Sequence, residues 1–153
     1  MELADETDLL RKIPMFAKLE MSRLKLLAFT SEVVCYDNGE TLFHAGDPAD
    51  CAYVIMEGSI DIVSETSNGP IVTSTLTENQ LFGELGLLNN EARIATLIAS
   101  STLRVMKIEA DMFLRLVREN SDVAFHVIHT LSERLAKSHS RVERLQEELS
   151  QQQ

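Results

Sequence analysis

The chain has 153 residues, 44% of them apolar and 25% charged, the proportions of a soluble globular protein with one proper core. Its 14 Lys+Arg against 24 Asp+Glu leave a net charge of −10, which gives no electrostatic footprint for a phosphate backbone or an anionic membrane surface. No apolar run approaches the ~18 residues of a membrane span, and the acidic start MELADETDLL is neither a signal nor a transit peptide.

Residues from about Asp5 to Thr30 carry helical spacing. Leu9, Leu10 and Ile13 lie on one stripe, Pro14 breaks it, and Leu24, Leu27 and Ala28 resume it. From Ser31 to Glu109 the period changes to two. Val33/Cys35, Leu42/His44, Tyr53/Ile55, Ile60/Ile62, Thr73/Thr75, Ile94/Thr96/Ile98 and Val105/Lys107 predict short strands, separated by turn residues such as Gly46-Asp47-Pro48 and Asn68-Gly69-Pro70. Strands of this length at this interval predict a closed sandwich or jelly-roll barrel, and with the flanking helices an α+β fold. The two cysteines, Cys35 and Cys51, are expected as reduced core thiols, which with the absence of a targeting segment places the chain in the cytoplasm.

From Glu109 the helical period returns. Met112, Phe113, Leu116 and Val117 form a short amphipathic helix ending near Asn120, and Ser121-Asp122 is expected to cap a longer one. On that helix Ile128, Leu135, Val142 and Leu149 fall at heptad position a, with Leu131 and Leu145 at d. This seam predicts pairing with a second copy; the alternative is a single helix lying along its own domain. The Gln-rich tail from Ser150 to Gln153 is expected to fray.

Charge along the chain is uneven. Between Leu26 and Leu103 the single Lys or Arg is Arg93, against eleven acids from Glu32 to Glu91. An anion bound in that stretch has one candidate cation. Arg93 closes the run Phe82-Gly83-Glu84-Leu85-Gly86-Leu87-Leu88…Arg93-Ile94-Ala95-Thr96, in which two glycines allow close backbone approach to a ligand. Leu85, Leu87 and Leu88 predict a helical turn starting after Gly83, with N–H groups aimed outward. A guanidinium grips two phosphate oxygens and a carboxylate accepts from a hydroxyl, so the pair suits a ligand with one phosphate and one free sugar hydroxyl. The competing reading is a structural Glu84–Arg93 ion pair.

This run resembles the phosphate-binding cassette of the cyclic nucleotide-binding domain family, which includes the bacterial catabolite activator and the regulatory subunits of cAMP-dependent protein kinase. Ile13-Pro14-Met15-Phe16, Gly46-Asp47-Pro48-Ala49-Asp50 and Glu57-Gly58-Ser59 resemble the family's helical entry, early barrel turn and third-to-fourth strand joint. The resemblance implies a β-roll, or double-stranded jelly-roll barrel, over residues 1–120 with its N-terminal helices, and a long C-terminal dimerisation helix over 121–153. It implies that Glu84 accepts from the ribose 2′-hydroxyl and Arg93 pairs with the cyclic phosphate. Gly83 and the backbone N–H groups of Leu85, Gly86, Ile94 and Ala95 would complete the cradle. A hydroxyl residue after the arginine is associated in the family with guanine recognition; here Ile94 has no donor, which favours cAMP over cGMP. An ungapped count from Arg93 places Ser138 where the catabolite activator touches the adenine amino group, with Arg134 and His139 flanking it to reach the base or the partner chain; Ser138 is otherwise a register device or a tolerated small residue in the seam.

A metal-dependent relative of the barrel is disfavoured, because His44 is the sole histidine between Ser31 and Glu109, and His126 and His129 suit solvated helix positions. No nucleophile–base pairing is visible, so no catalytic residue and no metal site are expected. The expected function is a regulatory sensor signalling through its C-terminal helix to an unknown effector protein, as a homodimer without direct nucleic-acid contact. The chain ends at Gln153 without a winged-helix module, so it is expected to act through a partner or as the sensor portion of a longer protein. The rivals are an interaction module of the same fold that binds no nucleotide, and a different small effector in the same pocket.

Overall fold

The computed structural model describes residues 3–151, with the side chains of 6–84 and 86–151; the Leu85 side chain and Gln152–Gln153 of the expected frayed tail lie outside the described residues. Helix α1 (Leu3–Arg11), a 3-10 turn (Pro14–Phe16) and α2 (Met21–Thr30) come first. Pro14 ends the α1 path because it cannot donate to the helical ladder, but it opens the 3-10 turn, where no donor is needed. Eight strands follow: β1 (Glu32–Tyr36), β2 (Thr41–Phe43), β3 (Cys51–Glu57), β4 (Ile60–Thr66), β5 (Gly69–Leu76), β6 (Leu81–Phe82), β7 (Thr96–Ala99) and β8 (Leu103–Glu109). Helix α3 (Glu84–Asn89) interrupts them, and α4 (Ala110–Glu119) and α5 (Ser121–Gln151) close the chain.

The strands form two four-stranded antiparallel sheets, ordered β1-β8-β3-β6 and β2-β7-β4-β5. The two orders interleave the chain as a jelly roll does. Strand β3 is buried on both faces and explains why there are two cores. Ala52 and Val54 point toward the helices, joining Leu10, Phe16, Leu24 and Phe113. Cys51, Tyr53 and Ile55 point into the barrel, joining Ile60, Leu97 and Val105. The alternation of a strand thus couples a helical core to a sheet core across a single layer.

Several expectations change in detail. Cys51 is a buried free thiol, but Cys35 is exposed, because β1 is an edge strand and the residues it turns inward are Val34 and Tyr36 rather than Val33 and Cys35. His44 falls outside β2, since its N–H goes to Asp47 Oδ2 (2.9 Å) in a turn instead of to a strand. Ile94 falls outside β7, because the neighbouring Arg93 backbone is tied to that same turn. At the junction of α4 and α5, Asn120 and not Ser121 caps α5. Its carbonyl accepts the Ala124 N–H (3.0 Å), while its own N–H returns to Leu116 O (3.0 Å) and closes α4.

The long helix lies along its own domain in its first half and projects from it in its second. Val123 and Val127 are buried on the helical core and Leu131 packs against it. Beyond that, Leu135, Val142, Leu145 and Leu149 are exposed, with Ile128 exposed on the adjoining turn. Leu131, expected in the seam, therefore serves the chain's own core: the packing stripe and the exposed stripe diverge at that residue.

Candidate functional site

Arg93 is fixed first through its backbone. Its N–H donates to Asp47 O (2.8 Å) and its carbonyl accepts from Gly46 N–H (2.8 Å), so the Gly46-Asp47-Pro48 turn clamps the position. The side chain then runs inward and is 5% exposed. Its Nη1 donates to Gly83 O (2.6 Å) and its Nη2 to Cys51 O (2.7 Å). The guanidinium carbon stands 4.3 Å from the centre of the Phe43 ring and 5.8 Å from that of Tyr53. Tyr53 in turn stacks on Phe82 at 4.9 Å. Burial raises the Tyr53 phenol above its ordinary range, so this ring stays neutral beside the cation at physiological pH.

A buried guanidinium is costly unless an anion answers it. Here the carboxylate that approaches is Asp50, at 3.9 Å from Nη2 and mostly exposed, while Nε has no partner among the described residues. Glu84 is not that anion. Buried to 1% exposure, it accepts through Oε1 from Arg134 Nη1 of α5, and its Oε2 has no partner among the described residues. Arg134 Nη2 also donates to Leu81 O (2.8 Å), so one α5 side chain is fastened to both ends of the short segment from Leu81 to Glu84. The structural Glu84–Arg93 ion pair is therefore replaced by two separate arrangements, each with an unanswered polar atom.

Gly83 and Gly86 explain the spacing of the run. Gly83 sits at φ +80°, and a Cβ there would lie 2.7 Å from Arg93 Nη1. A Cβ at Gly86 would strike the Ala49 Cβ of the clamping turn. Helix α3 begins directly at Glu84, as the leucines predict, so its first-turn N–H groups lack helical acceptors.

Gly83, Glu84, Gly86, Arg93, Ile94 and Ala95 line one cavity of about 170 Å³, and Arg134 joins them from α5. The Ile94 side chain is 71% exposed and contributes no donor at the rim. Ser138 does not reach this cavity. It lines an adjoining one of about 440 Å³ between α5 and β5, which shares Ile62, Leu76 and Arg134 with the first. Sequence reasoning missed Phe43, Tyr53 and Asp50 as surroundings of Arg93. Asp50 lies in a turn that the motif reading had singled out, but nothing in strand periodicity marks Phe43 or Tyr53 apart from ordinary core aromatics.

The model of the cyclic nucleotide-binding domain matches residues 33–120. The chain belongs to the cyclic nucleotide-binding domain family. Among curated proteins it is 29% identical to the cAMP-dependent protein kinase type II regulatory subunit of Drosophila melanogaster, over 85% of this chain and 35% of that protein. It is also 29% identical to the cAMP-activated global transcriptional regulator CRP of Pasteurella multocida, over 72% of this chain and 54% of that one. The chain thus spans about a third to a half of these relatives. Two solved structures share the fold: the sensor domain of the transcriptional regulator DNR from Pseudomonas aeruginosa (TM-score 0.77, 24% identity, 90% of this chain and 93% of that one) and the Thermus thermophilus catabolite activator protein (TM-score 0.75, 23% identity, 86% and 62%). Among the described residues no helix is long and apolar enough to cross a membrane.

Proposed function

We propose that this cyclic nucleotide-binding domain is a sensor for cAMP in preference to cGMP, acting by conformational change and not by catalysis. The observation that carries the reading is the division of charges: a buried Arg93 without a close anion and a buried Glu84 with one unanswered oxygen, both on one cavity. A cyclic phosphate answers the first and a ribose 2′-hydroxyl donates to the second. The absence of a donor on Ile94 and the placement of Ser138 and Arg134 along the adjoining cavity support an adenine base. Residues 1–120 hold the ligand and 121–153 transmit. Because Glu84 accepts from Arg134, any ligand at Glu84 acts on the α5 residue that fastens the helix to the barrel, and the Asn120 joint absorbs the change. The exposed seam pairs two copies, and a partner protein in the cytoplasm reads the helix arrangement.

One observation favours a domain of the same fold that binds no nucleotide: Gly83 O, Cys51 O and Arg134 already engage the charged groups internally. Titration calorimetry with cAMP and cGMP separates the two. The wild type binds cAMP more tightly than cGMP. Arg93→Ala, checked for folding by circular dichroism, loses on the order of 10²-fold or more in affinity, since two charge-assisted bonds vanish. Arg93→Lys, which keeps the charge in the core, recovers part of it. No heat with either nucleotide rejects the sensor reading; equal binding by Arg93→Ala rejects the site.

A further inference from the structure

On α5 the cations Arg134, Lys137, Arg141 and Arg144 follow one another at steps of three and four, which puts them on one helical stripe. Like charges at these spacings oppose helix formation, and the chain has acids to spare, with a net charge of −10. The two acids interleaved with the stripe are engaged by histidines, Glu133 with His129 (2.8 Å) and Glu143 with His139 (2.9 Å), and Arg134 goes to Glu84 of α3. Among the described residues the side chains of Lys137 and Arg141 have no ion-pair partner.

A second copy paired along the seam would not neutralise them. With Ile128, Leu135 and Val142 at position a, Arg134 and Arg141 fall at g, and the e positions that face g in a coiled coil are Ser132, His139 and Gln146. None is a carboxylate. The stripe faces instead the cavity of about 440 Å³, which Lys137 and Arg141 line together with Ser74, Asn79 and Thr130, and with Glu133 as its one carboxylate. That cavity lies beyond the cassette and is more than twice its size.

We propose that Lys137 and Arg141 form a second anion site in this cavity, which takes a phosphate group of a small molecule. The phosphate belongs either to a free phosphorylated metabolite or to a nucleotide carrying a second phosphate that spans both cavities. The free-metabolite form stands on the α5 groove alone, whereas the spanning form also rests on the proposed nucleotide binding at Arg93.

The full chain is titrated with pyrophosphate and with cyclic diadenylate, at low and at 0.3 M salt, as wild type, Arg93→Ala and Lys137→Gln/Arg141→Gln. Both groove positions are exposed, so the double variant retains the fold, verified by its unfolding curve. Binding of pyrophosphate that falls roughly tenfold or more in the double variant, weakens with salt and persists in Arg93→Ala establishes a separate phosphate site. Binding of cyclic diadenylate alone, lost in both variants, establishes one ligand across both cavities. The proposal is overturned if neither probe binds, if the double variant binds them as the wild type does, or if the double variant loses affinity only for an acidic peptide or DNA.

Discussion

At the scale of single residues, Arg93 and Gly83 act as one unit. The glycine's carbonyl accepts a hydrogen bond from the guanidinium, and its missing Cβ leaves the room that guanidinium occupies. Gly83→Ala therefore meets two objections, a left-handed backbone at φ +80° and a Cβ 2.7 Å from Nη1. The expected cost is about 1–2 kcal/mol in urea unfolding, from the backbone conformation. Nucleotide affinity should fall at least tenfold, because the cation is displaced. Unfolding curves and calorimetry on one preparation test both; a stability loss with unaltered affinity would separate the glycine from the site. Arg93 was legible in the sequence because it stands alone among eleven acids. Its aromatic bed was not, since Phe43 and Tyr53 come from strands whose pairing partners lie far along the chain.

Among the elements, α5 is where sequence pattern and structure meet least simply. Of its heptad positions Ile128, Leu135, Val142, Leu145 and Leu149 are exposed, whereas Leu131 is taken by the helical core together with the neighbouring Val123 and Val127. A helix half docked and half projecting carries an exposed apolar stripe that a second copy can cover. If the proposed pairing holds, Leu135→Glu combined with Val142→Glu should give a monomer where the wild type is a dimer in light scattering, while leaving barrel stability unchanged within about 0.5 kcal/mol, as expected for exposed positions. A wild type already monomeric at micromolar concentration, or a variant still dimeric, would reject the seam. The short strand β6 and helix α3 show the opposite case. The run Leu81-Phe82-Gly83-Glu84 announces both by its glycine and leucines, and the structure turns from strand to helix at that glycine.

For the molecule as a whole, the sheet β1-β8-β3-β6 is the partition between two cores, so substitutions on one side are felt through β3 and β8 on the other. Met106 and Ile108 join the helical core, while Leu103 and Val105 join the barrel. Phe113 of α4 is fully buried in the helical core beside the joint that leads to α5. Phe113→Ala should lower stability by about 3–5 kcal/mol, the range for truncating a buried aromatic. A single cooperative unfolding curve for this variant would show that the two cores melt together; two transitions would show that the partition divides them. Charge is also partitioned at this scale. The barrel stretch is acid-rich around one buried arginine, whereas α5 carries its cations on the face beside the larger cavity.

The sequence by itself determined the succession of helices, strands and helices, because local periods of 3.6 and 2 need nothing but neighbours to be read. It also put Gly83, Glu84 and Arg93 forward as one candidate site, since they are close enough along the chain for one short segment to place them, and the resemblance to the family's cassette rests on that run. Only the tertiary structure decided which charges meet. Arg134 reaches Glu84 across fifty positions, Arg93 leans on carbonyls and aromatic rings instead of on that glutamate, and Cys35 turns outward while Cys51 turns in. Those outcomes depend on strand register and on where a long helix docks. Both are set by burying two cores at once, and a linear pattern holds no record of that choice.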